Sequence, residues 1–168
     1  MKLFLAFMMM TTVLHAADEI PVQQMREMYY NASKSSAASD KFYELMKREN
    51  STSPLALGYQ AMAEFMKCYH SFNPVTKLTY FGKGKSNLDR AIQNDPQNIE
   101  LRYLRFTVQT NIPFFLNYSS SVNEDKQFII SNFSSQGDTA LKQMIRDYMV
   151  SCDACSEEEK TFFQNTTL

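Results

Sequence analysis

Apolar residues recur along this chain at intervals of three and four, the spacing that gathers them on one face of an α-helix. Over residues 21–32, Val22, Met25, Tyr29 and Ala32 share such a face. A small polar turn is expected at residues 34–39, then a helix from Asp40 with Phe42, Leu45 and Met46 inward. Ser53-Pro54 and Asn73-Pro74 each offer a capping oxygen followed by a residue with no N–H to leave unpaired, so each opens a further helix. The helix after Pro54 carries two apolar stripes: Leu55, Tyr59, Met62, Met66 and Tyr69 on one, Gly58, Ala61, Phe65 and Cys68 on the other. A helix apolar on two sides is sandwiched between neighbours, and the small Gly58 and Ala61 let one of them come close.

The helix after Pro74 continues inward through Leu78, Phe81, Leu88, Ala91 and Ile92. Gly82 and Gly84 each cost about 1 kcal/mol against alanine there, so a kink or break is expected. Asp95-Pro96 repeats the capping signature and predicts a helix over residues 96–110, again with two apolar faces: Leu101, Leu104 and Val108, and Ile99, Tyr103 and Phe106. Residues 112–116 read as a corner with a short apolar helix, and Ser119 to Ser121 as a solvent loop. Asn123 is expected to cap a helix bearing Phe128, Ile129 and Ile130, and Asp138 one bearing Leu141, Met144, Ile145 and Tyr148. Ser156 with Glu159 forms a capping box before Phe162 and Phe163. With only 4 glycines and 5 prolines, and no alternating β-branched run, the chain reads as all-α.

Gly84, Leu88, Ala91 and Pro96 stand at the offsets where tetratricopeptide repeats place a small residue, a large apolar residue, an alanine and a proline. The words Ala-Ile-Gln-Asn-Asp-Pro-Gln-Asn resemble a repeat ending. The match covers one hairpin: the Trp-x-x-Leu-Gly opening is absent, and no second copy follows at a period of about 34 residues. The whole pattern, including Tyr29-Tyr30-Asn31-Ala32-Ser33 and Leu101-Arg102-Tyr103-Leu104-Arg105-Phe106, is similar to small secreted bacterial proteins, and supplies no catalytic residue. The resemblance implies stacked helical hairpins, as a right-handed superhelix of the tetratricopeptide kind or an irregular α-bundle, serving as a binding or scaffolding module.

Lys2, an apolar run over residues 3–14 and then Ala16 and Ala17 spell a secretory signal over residues 1–16, with residues 17–168 as a single helical domain. The run is too short to persist as a membrane span, so the expectation is an exported protein, periplasmic or secreted, with no integral membrane segment after cleavage. No cysteine follows the signal to carry a lipid. Net charge is only −1, which offers no overall field for nucleic acid or an anionic membrane.

Candidate chemistry is sparse. Gly82-Lys83-Gly84-Lys85-Ser86 contains the Gly-Lys-Ser of a phosphate loop, but that loop needs a glycine where Thr79 stands and a strand before it, so a solvated basic turn is expected. Cys152-Asp153-Ala154-Cys155 has the spacing of a redox dithiol without the βαβ context, and reads as a local disulfide bracing the chain in an oxidising compartment. Cys68, on an apolar stripe, reads as core, and His70 as a helix-end residue. No metal site or cofactor is implied. Asn31, Asn50, Asn117, Asn132 and Asn165 begin glycosylation acceptors, which matter only in a eukaryotic secretory pathway.

Arg102, Arg105 and Gln109 form one polar stripe between the two apolar faces of their helix. Cations so placed need a carboxylate, a carbonyl or a bound anion, so the expectation divides between an internal partner such as Glu64 or Asp89 and a site for an anion or a carboxylate terminus. A protein or peptide partner is thus the leading functional reading. The alternative is an envelope enzyme or enzyme-accessory protein using a polar pocket near Arg102 or the Cys152 and Cys155 pair, and a third is a purely structural envelope protein. An open groove would favour binding, and a closed gathering of titratable groups would favour catalysis.

Overall fold

The computed structural model describes residues 19–167, and the expected signal lies outside the described residues. Regular structure among them is helical: α1 (Val22–Lys34), α2 (Ser36–Arg48), α3 (Pro54–His70), α4 (Pro74–Asn94), α5 (Ile99–Asn111), a 3-10 turn (Phe114–Leu116), α6 (Val122–Phe133), α7 (Thr139–Ser151) and α8 (Glu157–Asn165), with no strand among the described residues. None of these helices is long and apolar enough to cross a membrane.

Four helix starts follow their caps. Ser53 accepts from Ala56 N–H, Asn73 from Val75 and Thr76, and Asp138 from Leu141, while Ser156 and Glu159 close a reciprocal capping box. Three starts depart from expectation. Residues 34–39 do not make a polar turn: only Ser35 separates α1 from α2, its hydroxyl accepting from Ala38 N–H. Alanines lose no side-chain entropy in a helix, and Ser39 packs inside, fully buried. Asp95 does not cap α5. It ends α4, and Asn98 is the cap, accepting from Glu100 and Leu101 N–H, while the Asp95 carboxylate accepts from Asn98 Nδ2 at 2.9 Å and holds that amide in place. Asn123 lies within the first turn of α6, which has Ser121 at its cap position and no side-chain cap bond.

Consecutive helices pack as hairpins, α1 with α2, α3 with α4, α5 with α6 and α7 with α8. α2 also lies on α3 and α4 on α5, while α1, α3, α5 and α7 adjoin in series. The interior position of α3 and α5 follows: Tyr59, Met62, Leu101, Leu104 and Phe106 are shielded from solvent completely. At Gly58 of α3, the place a Cβ would take is filled by the Leu101 side chain of α5, the close approach expected there. α4 runs unbroken through both of its glycines. A Cβ on Gly84 would stand 3.1 Å from the Phe65 ring, so the glycine lets α3 lie against α4 and tertiary contact outweighs the local propensity cost. Tyr69 and Leu78, expected inside, face solvent at 66% and 60% exposure.

Candidate functional site

Arg102 and Arg105 leave the side of α5 that faces the start of α6. Asp125 lies in the first turn of α6, where the helix dipole favours an anion, and it is fully buried. Its carboxylate takes the fork of Arg105, Nε donating to Oδ2 at 2.6 Å and Nη2 to Oδ1 at 2.7 Å, together with Arg102 Nη1 at 3.0 Å. Arg102 also donates from Nη1 to Glu124 Oε1 at 2.5 Å and from Nε to the Pro96 carbonyl at 3.1 Å. That bond from Arg102 holds the Glu124 carboxyl below the usual carboxylate range.

The other wall comes from α4 and the segment before α6. Tyr118 is buried edge-on against Phe81 and donates its hydroxyl to Asp89 at 2.7 Å. Burial, then the Asp89 carboxylate, pushes the Tyr118 phenol up. Lys85 Nζ stands 4.9 Å from the Tyr118 ring centre. Between the walls opens a cleft of about 460 Å³ bordered by Lys85, Asp89, Arg102, Arg105, Tyr118 and Glu124, among others. Among the described residues, Arg102 Nη2 and Arg105 Nη1 make no hydrogen bond; the latter lies 4.0 Å from Asp89. Both guanidiniums border the cleft, with Asp89 facing Arg105 and the Phe128 ring centre 5.2 Å from the Arg102 guanidinium carbon.

Arg102 and Arg105 thus come together, with Asp125 and Glu124 as their main partners. Of the two internal partners considered, Asp89 lies beside Arg105, while Glu64 accepts instead from Asn87 Nδ2 at 2.9 Å and is raised by burial. Gln109 is not brought into the cleft. Seven residues along a helix amount to about 10 Å of rise, which carries it past the start of α6. It is buried, and among the described residues neither amide atom has a partner. Lys83 to Ser86, expected in a basic turn, lie inside α4, which is how Lys85 reaches the cleft.

A second polar cluster escaped the sequence reading. Arg26 of α1 grips Glu100 of α5 through Nε at 2.8 Å and Nη2 at 2.7 Å, and Tyr59 of α3 donates to the same carboxylate at 2.6 Å. Arg26 Nη2 also reaches Asp138, the cap of α7, at 2.9 Å. Burial and the neighbouring Glu100 charge push the Tyr59 phenol well up. The signal was a carboxylate at position 100 between Ile99 and Leu101, inside a helix read as interior.

His70 Nε2 lies 2.7 Å from the Ala32 carbonyl and ties the ends of α3 and α1 together. The structure carries all three cysteines as thiols. Cys152 sits at the end of α7 and Cys155 before α8, joined by a backbone bond from Cys155 N–H to the Cys152 carbonyl at 3.1 Å. Burial, with Cys152 beside it, pushes the Cys155 thiol up to about 12. Asn31, Asn50, Asn117 and Asn165 are exposed, and Asn132 is half-buried. No family model, curated protein or solved structure matches the chain.

Proposed function

We propose that this protein is an exported binding module and that its ligand is the free carboxylate end of a peptide or protein, held in the cleft beside Arg102 and Arg105. The observation that carries the reading is the pair of guanidiniums clamped by one buried carboxylate at the border of an open cleft. Clamping lowers the entropy lost when a ligand is taken up, and Lys85 adds a cation with no ion-pair partner among the described residues. The serial contact of α1, α3, α5 and α7 resembles the stacking of repeat scaffolds, and supports a scaffold role.

Calorimetry with random hexapeptides tests the reading. Peptides with a free C-terminus should bind and their amidated counterparts should not. Lys85→Gln, which breaks no ion pair and gives up only the contact with the Tyr118 ring, should weaken binding by about tenfold or more while lowering the melting temperature by no more than a few degrees. Equal binding of the free and amidated pools would defeat the proposal.

For Cys152 and Cys155, thiols in the structure, we propose oxidation to a disulfide brace in an oxidising compartment, dispensable for binding. A protonated thiol is a poor nucleophile, and the raised Cys155 thiol counts against exchange catalysis. Denatured without reductant, the exported protein should titrate at most one thiol, that of Cys68. Three titratable thiols would remove the brace.

A further inference from the structure

The α3–α4 corner gathers exposed apolar side chains where four helix ends meet. His70 bonds the Ala32 carbonyl near the end of α1, and Lys67 of α3 pairs with Asp40 of α2 at 2.5 Å. Ser36, His70, Thr76 and Tyr80, from α2, α3 and α4, border one shallow hollow. From this end Tyr30, Tyr69, Phe72, Val75 and Leu78 point outward. Phe72, in the turn itself, is 99% exposed, and Val75 and Leu78 follow on one side of α4 at 74% and 60%.

The charge here differs from that of the chain as a whole. From Phe65 to Leu78 there is no Asp or Glu, and Lys67 and Lys77 fall in that stretch. Lys34 lies over the Tyr30 ring at 3.8 Å, and Asp40 and Lys67 neutralise one another, which leaves Lys34 and Lys77 as lysines without an ion-pair partner among the described residues. An apolar apex flanked by Lys34 and Lys77 thus projects from a protein whose net charge is −1.

We propose that this corner is a docking tip for an anionic lipid bilayer, with Phe72, Val75 and Leu78 entering the interface and Lys34 and Lys77 meeting acidic headgroups. Three features select that partner. The apolar groups crown a convex corner instead of lining a groove, a shape suited to a phase that yields around it. Tyr30 and Tyr69, at 63% and 66% exposure, bring rings with a polar end, which suits the boundary between water and acyl chains. A second copy docked tip to tip would set lysine against lysine, which like-charge repulsion disfavours.

The chain has no tryptophan, so Phe72→Trp makes a sole reporter at the apex. On vesicles of equal parts phosphatidylglycerol and phosphatidylcholine its emission should shift to the blue and be quenched by brominated acyl chains. Pure phosphatidylcholine, or high salt, should reduce both effects. Unchanged emission on the anionic vesicles overturns the proposal and leaves the tip to an acidic protein partner. A blue shift that grows with protein concentration in the absence of vesicles overturns it in favour of self-association. Sedimentation of the full chain with the same vesicles separates the tip from any other lipid-binding segment. The triple variant Phe72→Ser, Val75→Ser, Leu78→Ser should lose about tenfold or more in bound fraction, and retention at the parent level overturns the proposal. Because all three side chains face solvent, its circular dichroism should match the parent; if it does not fold, the tryptophan reporter still decides.

Discussion

Glu100→Ala is expected to destabilise the protein by about 3–5 kcal/mol, the range for removing one partner of a buried ion pair. The Glu100 carboxylate is 3% exposed and receives two bonds from Arg26 and one from Tyr59. Its loss leaves the Tyr59 hydroxyl without an acceptor and the Arg26 cation, 8% exposed, with only Asp138 beside it. The cluster joins α1, α3 and α5 to the cap of α7, so the damage reaches the whole series of odd-numbered helices. Glu100→Gln keeps an acceptor for Tyr59 and should cost less. Replacing both ions, Arg26→Met with Glu100→Leu, should recover part of the loss, because the buried cation leaves with its partner while Tyr59 still lacks an acceptor and Asp138 its ion pair. Urea unfolding followed by circular dichroism measures all three variants. A Glu100→Ala change below about 0.5 kcal/mol would mean that the cluster contributes nothing to stability.

Asp125→Ala should have an effect of similar size, for the same reason and at a different place. It strands two guanidiniums, each 11% exposed at the side chain, that share one fully buried acceptor. The arginines should not be equivalent. Arg105 uses its fork on Asp125, whereas Arg102 makes one 3.0 Å bond to it and keeps Glu124 and the Pro96 carbonyl. A double-mutant cycle should therefore give a larger coupling for Arg105 with Asp125 than for Arg102 with Asp125. The same variants bear on the cleft. Arg102→Ala and Arg105→Ala should lower both the melting temperature and peptide binding per folded molecule. If they lower the melting temperature and leave that binding unchanged, the arginines only brace α6 and the carboxylate site is wrong.

What the sequence determined by itself is what a few neighbouring residues decide among themselves. Apolar spacing places a helix wherever it recurs at threes and fours, and Ser53, Asn73, Asp138 and Ser156 start helices because a cap needs only its own next three residues. The double apolar faces of residues 55–69 and 99–108 placed α3 and α5 inside for the same reason. Tertiary structure alone decided which polar groups meet. Arg26 and Glu100 are 74 residues apart and Arg105 and Asp125 are 20, and such pairs form or fail according to which helices lie side by side. The same holds for Gly84, a helix breaker by propensity that became a contact for Phe65 once α3 lay across it. It holds for Tyr69 and Leu78, which follow the helical period but stand at a corner that no further helix among the described residues covers, because periodicity assigns a residue to a face and only packing assigns that face a neighbour.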